Sequence, residues 1–324
     1  MIGFYVHHVG GGHVTRALQI AGELDVPVTG LSTLPRPHDW PGQWLQLPPD
    51  DSPGDNPGDP AAQADAGGAL HFAPLRPGFR DRQRAIAQWV SAAAPRAVLV
   101  DVSVEVAALF RLLAVPVVVT AMPGDRNDRV HRLGYDLASA VIAPWPSAAH
   151  PGSAARGERT TYVGGISRFA GRYPDPGLRE LRRGVVLWGS GGADLSVSQR
   201  NAMTTAMPGW DWVFATELPA ERLWQELQQA RVVVSHAGQG AIADLAIAGA
   251  PAVVVAADRP HGEQRATAQE LRRLGLAIGV QRWPRDEDWP GLLSEAANLG
   301  GRRWSAWLGS GAAGAARVLR EVAA

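Results

Sequence analysis

Apolar runs of strand length alternate with amphipathic stretches along the whole chain, and this alternation limits the possible folds more than any other feature. In the first half the runs are Ile2–Val6, Val26–Leu31, Ala97–Asp101, Pro116–Thr120 and Ala140–Ala143. In the second half they are Gly184–Trp188, Trp212–Ala215, Val232–His236, Pro251–Ala256 and Ala277–Val280. They are β-branched and nearly continuous, so both faces of each strand must be covered, as in parallel sheets flanked by helices. Helical patterns follow most of them, among them Val14–Leu24, Ser103–Leu113, Ala241–Ala248 and Glu263–Leu274, and Arg303–Val322 reads as a closing helix. A chain of 324 residues suits two such α/β units. The Pro- and Gly-rich stretch Pro144–Gly177 holds the expected junction, near Gly164–Gly177, giving domains 1–163 and 164–324. Pro48–Gly68 reads as a surface loop.

Composition removes several chemistries. Every basic side chain is Arg, and with no Lys there is neither a Schiff base nor a P-loop lysine. The absence of Cys excludes disulfides, thiolate metal sites and thiol nucleophiles. The 31 basic and 31 acidic residues cancel, so no global field points to nucleic acid. Met1–Val6 has no basic leader, and no apolar run approaches the ~20 residues of a bilayer span, so the expectation is a cytoplasmic protein.

Three strand–glycine–helix openings carry the chemistry. The first, His7-His8-Val9-Gly10-Gly11-Gly12-His13, ends a strand, turns on glycines and places His13 where a helix opens. Its N–H groups and dipole can seat an anion, although a tight turn with a capping histidine would look the same. The spacing is not the dinucleotide G-x-G-x-x-G. The second, Trp188-Gly189-Ser190-Gly191-Gly192, adds a hydroxyl to the same device. The third is the most specific. Ser235-His236-Ala237-Gly238-Gln239-Gly240 delivers His236 to a helix start, and Asp244 follows one turn later, placed to accept from a diol such as ribose. Beyond the next strand, Glu263-Gln264 offers an acceptor and an amide for sugar hydroxyls.

With these residues in view, the chain resembles glycosyltransferases of the two-Rossmann-domain (GT-B) type. It is similar to the group holding the peptidoglycan lipid-intermediate N-acetylglucosaminyltransferase and the UDP-glycosyltransferases. The match rests on Gly11-Gly12-His13, on Gly189-Ser190-Gly191-Gly192, on Ser235 to Pro251, and on Glu263-Gln264-Arg265-Ala266, where Arg265 replaces the family's Asn. Thr161–Ile166 resembles the strand before the family's interdomain linker. The resemblance implies two Rossmann-like domains facing across a cleft, with the C-terminal helix able to return to the N-terminal domain. It implies a nucleoside-diphosphate sugar donor, probed first as a UDP sugar, and a small-molecule or lipid-linked acceptor. A lipid-linked acceptor would bring peripheral contact with the inner face of a membrane.

The residue roles follow from the same resemblance. His236, Gly238 and Ser190 would face the diphosphate, Asp244 the ribose, and Glu263 with Gln264 the sugar, with Gly189, Gly191, Gln239 and Gly240 also binding the donor. Loop Thr216–Arg222 would lie near the nucleobase, Gly11 and Gly12 near the acceptor, and His13 would be the base. Asp101 is either the carboxylate that orients His13 or a cap for the helix at Ser103. Neither a cofactor nor a metal is implied, and Asp286-Glu287-Asp288 reads as helix-start acids.

Alternatives remain at several points. His13 could instead bind a phosphate and leave His7 or His8 as base; as neighbours in a strand, only one of those two would face the cleft. Arg76–Arg84 reads as a solvated helix start that could also meet a phosphate-bearing acceptor. Trp40 and Trp44 read as core or as sugar platforms. A nucleotide-sugar 2-epimerase-like isomerase and a non-catalytic nucleotide-sugar-binding protein are the rival functions.

Overall fold

The computed structural model describes residues 1–8, 10–50, 65–152, 157–188, 195–215 and 218–324. The expected glycine loop Gly189, Ser190, Gly191 and Gly192 lies outside them, as do Thr216 and most of the Pro48–Gly68 stretch.

The first half runs β1 (Ile2–Tyr5), α1 (Gly11–Gly22), β2 (Val28–Ser32), β3 (Gln43–Gln46), α2 (Pro77–Ala93), β4 (Ala97–Val100), α3 (Val104–Leu112), β5 (Val117–Thr120), α4 (Arg129–Leu137), β6 (Ala140–Ala143) and β7 (Thr160–Tyr162). Its seven strands pair in the order β3-β2-β1-β4-β5-β6-β7, all parallel. The second half runs β8 (Arg183–Leu187), α5 (Val197–Ala206), β9 (Asp211–Phe214), α6 (Ala220–Gln229), β10 (Val232–His236), α7 (Gln239–Ala248), β11 (Ala252–Val255), α8 (Glu263–Arg273), β12 (Ile278–Val280), α9 (Trp289–Leu299) and α10 (Gly311–Ala323). Here the order is β12-β11-β10-β8-β9, again all parallel. Each sheet reverses its order once, between β1 and β4 and between β8 and β10. Loops diverge at such switch points and leave a crevice at the carboxyl ends of the strands.

The strand residues are buried on both faces, for example Val98, Val100, Val117, Val233 and Val254 at 0% exposure, which is why they read as continuous apolar runs. Two strands had no such run. β3 is Gln-Trp-Leu-Gln at the sheet edge, and β7 at the other edge is short and half-buried. Trp40 and Trp44 belong to the core: Trp40 is 2% exposed, their rings meet edge to face, and their indole N–H groups donate to the carbonyls of Gln43 and Leu34. Sugar stacking is thereby excluded for Trp40.

The expected closing helix is two pieces. A 3₁₀ turn, Arg302–Trp307, buries Trp304 against the second half, and α10 begins only at Gly311. Between them the chain crosses to the first half, where the Gly165 N–H donates to the Trp307 carbonyl and the Gly311 N–H to that of Val163. α10 then packs Ala315, Ala316, Val318 and Leu319 into the cluster of β1, α1 and β4 around Phe4, Ile20 and Leu99. Fully burying a Val or Leu is worth about 1.5–3 kcal/mol, so the tail is held firmly to the first sheet.

Candidate functional site

β1 and β4 are neighbours, so their carboxyl ends present His7, His8 and Asp101 at one edge, and α1 starts beside them with His13 in its first turn. His13 Nδ1 is hydrogen bonded to Asp101 Oδ2. The other carboxylate oxygen accepts from Arg16, at 2.9 Å from Nε and 2.5 Å from Nη2. Ser103, whose hydroxyl accepts from the Val106 N–H, caps α3, so Asp101 is not the cap and its carboxylate serves His13 and Arg16 instead. Burial alone would raise the Asp101 pKa; Arg16 and His13 outweigh it and hold the carboxyl below the usual carboxylate range. The dyad therefore consists of an ionised carboxylate on Nδ1, which leaves Nε2 of His13 for a ligand.

Arg16 carried no signal in the sequence. An arginine one turn beyond His13 reads as a solvated helix residue, yet it is 7% exposed. It also spans the two halves: its Nη1 donates to Gln239 Oε1 at 2.5 Å, in the first turn of α7. The Gln239 amide nitrogen is buried and has no partner among the described residues. The base candidate is thus linked to the first turn of α7 through Asp101 and Arg16.

His7 and His8 depart from the strand expectation. β1 ends at Tyr5, so the alternation of faces has lapsed, and the two rings stack at 4.9 Å between centroids, nearly parallel. Burial, then the neighbouring His13 and His8, push the His7 pKa down to about 4. A base that weak at neutral pH abstracts a proton poorly, which favours His13 over His7.

On the facing side, His236 ends β10 and Gly238 precedes α7. The Gly238 N–H donates to His236 Nδ1 at 2.9 Å, fixing the tautomer with a proton on Nε2. Burial, then Arg259, lower the His236 pKa to about 4, so the ring is neutral and offers one N–H donor. A methyl at Gly238 would lie 2.3 Å from His236 Cε1. Gly238→Ala is therefore expected to displace the imidazole and to cost about 1–3 kcal/mol, read by denaturant unfolding. Wild-type stability with an unmoved His236 resonance would contradict this packing. Gly240, Gly11 and Gly12 have open space where a Cβ would go, so both helix starts are accessible to ligand.

Three expected donor contacts have other partners. Asp244 is 1% exposed; it accepts from Ser167 Oγ at 2.7 Å and pairs with Arg168 Nε at 3.0 Å, both in the segment joining the halves. Gln264 Oε1 accepts from the Ala237 and Ala257 N–H groups, bracing the ends of β10 and β11. Glu263 pairs with Arg126 of the first half at 3.3 Å.

The basic stretch at α2 also departs from expectation. Arg82 is 1% exposed and bonds to the Tyr5 hydroxyl and Thr33, so this helix start is not uniformly solvated. Asp288 is held by Arg285 before α9, as helix-start acids are. No helix among the described residues is long and apolar enough to cross a membrane.

Residues 220–287 match the Glycosyltransferase family 28 C-terminal domain. No curated protein matches the sequence. Solved structures similar over the whole chain include Acinetobacter baumannii MurG, with 13% identity, a TM-score of 0.68 and 99% of each chain covered. A UGT from Siraitia grosvenorii in complex with UDP has 15% identity, a TM-score of 0.66 and 99% of each chain covered. Spinosyn rhamnosyltransferase SpnG complexed with thymidine diphosphate has 16% identity and a TM-score of 0.65, covering 99% of this chain and 100% of its own. The fold is that of the GT-B glycosyltransferases, and the family 28 match falls on the half that carries His236 and Gln264.

Proposed function

We propose that the chain is an inverting, metal-independent glycosyltransferase that moves a hexose from a nucleoside-diphosphate sugar, UDP first among candidates, to an acceptor hydroxyl. The observation that carries this reading is the His13–Asp101 pair on one half, facing the α7 helix start on the other. His13 Nε2 takes the acceptor proton as the acceptor oxygen attacks the anomeric carbon. The bond from that carbon to the diphosphate oxygen breaks on the opposite face. General-base help of this kind is worth about 10²–10⁴-fold. The departing diphosphate gains charge, which the N–H groups at the start of α7, its dipole and the Nε2–H of His236 are placed to stabilise. A 2-epimerase-like isomerase would need additional acid/base groups at the donor sugar, where Glu263 is paired with Arg126 and Gln264 Oε1 accepts from backbone N–H groups, and a binding protein has no use for an ionised carboxylate behind a histidine.

The bound UDP and thymidine diphosphate of two similar proteins support a nucleoside-diphosphate donor. A thermal-shift screen of nucleoside diphosphates and their sugars tests it: ligand at about 100 times its Kd adds about 2.7 kcal/mol. No shift with any of them at millimolar concentration would remove the donor pocket from consideration. In transfer assays with a panel of acceptors, chelator-treated protein is expected to need neither magnesium nor manganese. Activity lost in chelator and restored by either ion would overturn the metal-free leaving-group chemistry.

A further inference from the structure

Three histidines outside the chemistry described above meet where the two halves touch. His71 precedes α2, His131 is in the first turn of α4, and His261 lies in the turn before α8. One ring nitrogen from each falls within 4.8 Å of the others. Ring centroids are 4.6 Å apart for His131 and His261 and 5.0 Å for His71 and His131. We propose that His71, His131 and His261 form a zinc site that clasps the first half to the second.

An aromatic cluster alone would not need the rest of the arrangement. The Nδ1 of His131 faces Asp128 Oδ2 at 2.6 Å, and the Nδ1 of His261 faces the Asp125 carbonyl at 3.1 Å. Both rings are thereby oriented with Nε2 left for a shared point, the carboxylate- or carbonyl-backed geometry of metal-ligating histidines. Glu105 accepts from the backbone N–H groups of His71 and Phe72, at 2.5 and 2.8 Å, and fixes the segment that carries the third ring.

The backbone is also committed to this meeting point. His261 has φ 59°, a conformation that favours glycine, and it is held there by the Asp125 N–H donating to its carbonyl at 2.8 Å. A Cβ on Gly124 would lie 2.4 Å from that carbonyl oxygen, so the two loops approach as closely as backbone allows. Arg126 stands nearby, but Glu263 pairs with it, and Asp128 supplies a further negative charge beside the rings.

Three imidazoles suit zinc and not magnesium or manganese, which take oxygen ligands, so this site is independent of the metal-free transfer chemistry. Tetrahedral bonds of about 2.0–2.1 Å place nitrogens about 3.3 Å apart, within reach of small ring rotations, and leave a fourth position for water. The proposal does not rest on the transferase reading.

The test uses the full chain after chelation, titrated with zinc by calorimetry and with cobalt by visible absorption. One metal per chain is expected, bound at micromolar concentration or tighter, with a tetrahedral cobalt spectrum and a rise in Tm of several degrees on adding zinc. His131→Asn and His261→Asn should each weaken zinc by about 100-fold or more, and Asp128→Asn by about 10–100-fold. His71→Asn, at an exposed residue, should do the same as the other two histidine variants without disturbing the fold. No uptake by the wild type, or uptake as tight as the wild type's by the His71→Asn and His131→Asn variants, would overturn the site.

Discussion

His13→Ala is expected to lower kcat by about two orders of magnitude or more while nucleoside-diphosphate affinity stays within a few-fold. The split follows from geometry. His13 lies on α1 with Asp101 on its Nδ1, so its free Nε2 belongs to the first half. The proposed donor seat, at Gly238 and Gln239 at the start of α7, belongs to the second. Removing the imidazole removes the proton acceptor and leaves the α7 helix start intact. Calorimetry with UDP and transfer kinetics on the same preparation would read both quantities. A variant that turns over near the wild-type rate, or one that fails only because donor affinity collapses, would place the base elsewhere. His8 would then be the next residue to replace, since the low pKa of His7 makes that ring a poor base at neutral pH.

Asp101→Asn should be nearly as damaging to kcat, by about 100-fold, through a different route. In the proposed mechanism Asp101 touches no reacting atom and acts as a positioning residue. Its carboxylate fixes the His13 tautomer and supports the imidazolium that forms as the acceptor loses its proton. An amide cannot serve both partners: one face must accept from His13 and the other from the donors of Arg16. Breaking this buried pair is also expected to cost about 3 kcal/mol of stability. A purely structural role would show that loss without the drop in kcat, measured well below Tm, and with donor affinity unchanged.

Linkage gives a second readout for Asp101. Because its folded pKa is depressed, the stability it contributes is present above an unfolded carboxyl value of about 3.9. That stability is lost as pH falls through the lower folded value. The Asn variant should therefore lose less stability on acidification than the wild type. Equal acid sensitivity in the two proteins would mean that Asp101 is not held ionised by Arg16 and His13.

Much of the architecture was legible because its signals are local. A parallel strand buried on both faces must be apolar along its length, so ten of the twelve strands among the described residues stood out as runs. The two that did not, β3 and β7, are sheet-edge strands that need no such run. The His13–Asp101 pairing was legible for a related reason. Residues that end parallel strands, or start the helices after them, collect at one sheet edge whatever the rest of the chain does.

The sequence by itself thus determined two parallel α/β halves, the glycine-flanked helix starts, the placing of Asp101 and His236 at strand ends, and that of His13 at a helix start. Only the tertiary structure decided which polar groups pair across distance. Arg16 looks like any exposed helix arginine until Asp101, 85 positions away, and Gln239, 223 positions away, close over it. Asp244 reads as a diol acceptor until Ser167 and Arg168 occupy it, and Gln264 as a sugar contact until two backbone N–H groups claim its oxygen. The meeting of His71, His131 and His261 has no sequence signature at all. Apolar periodicity reports which face a residue buries, through interactions along one element. A buried polar side chain must instead be satisfied by whatever partner the packing brings within about 3 Å, and that depends on how the two halves dock.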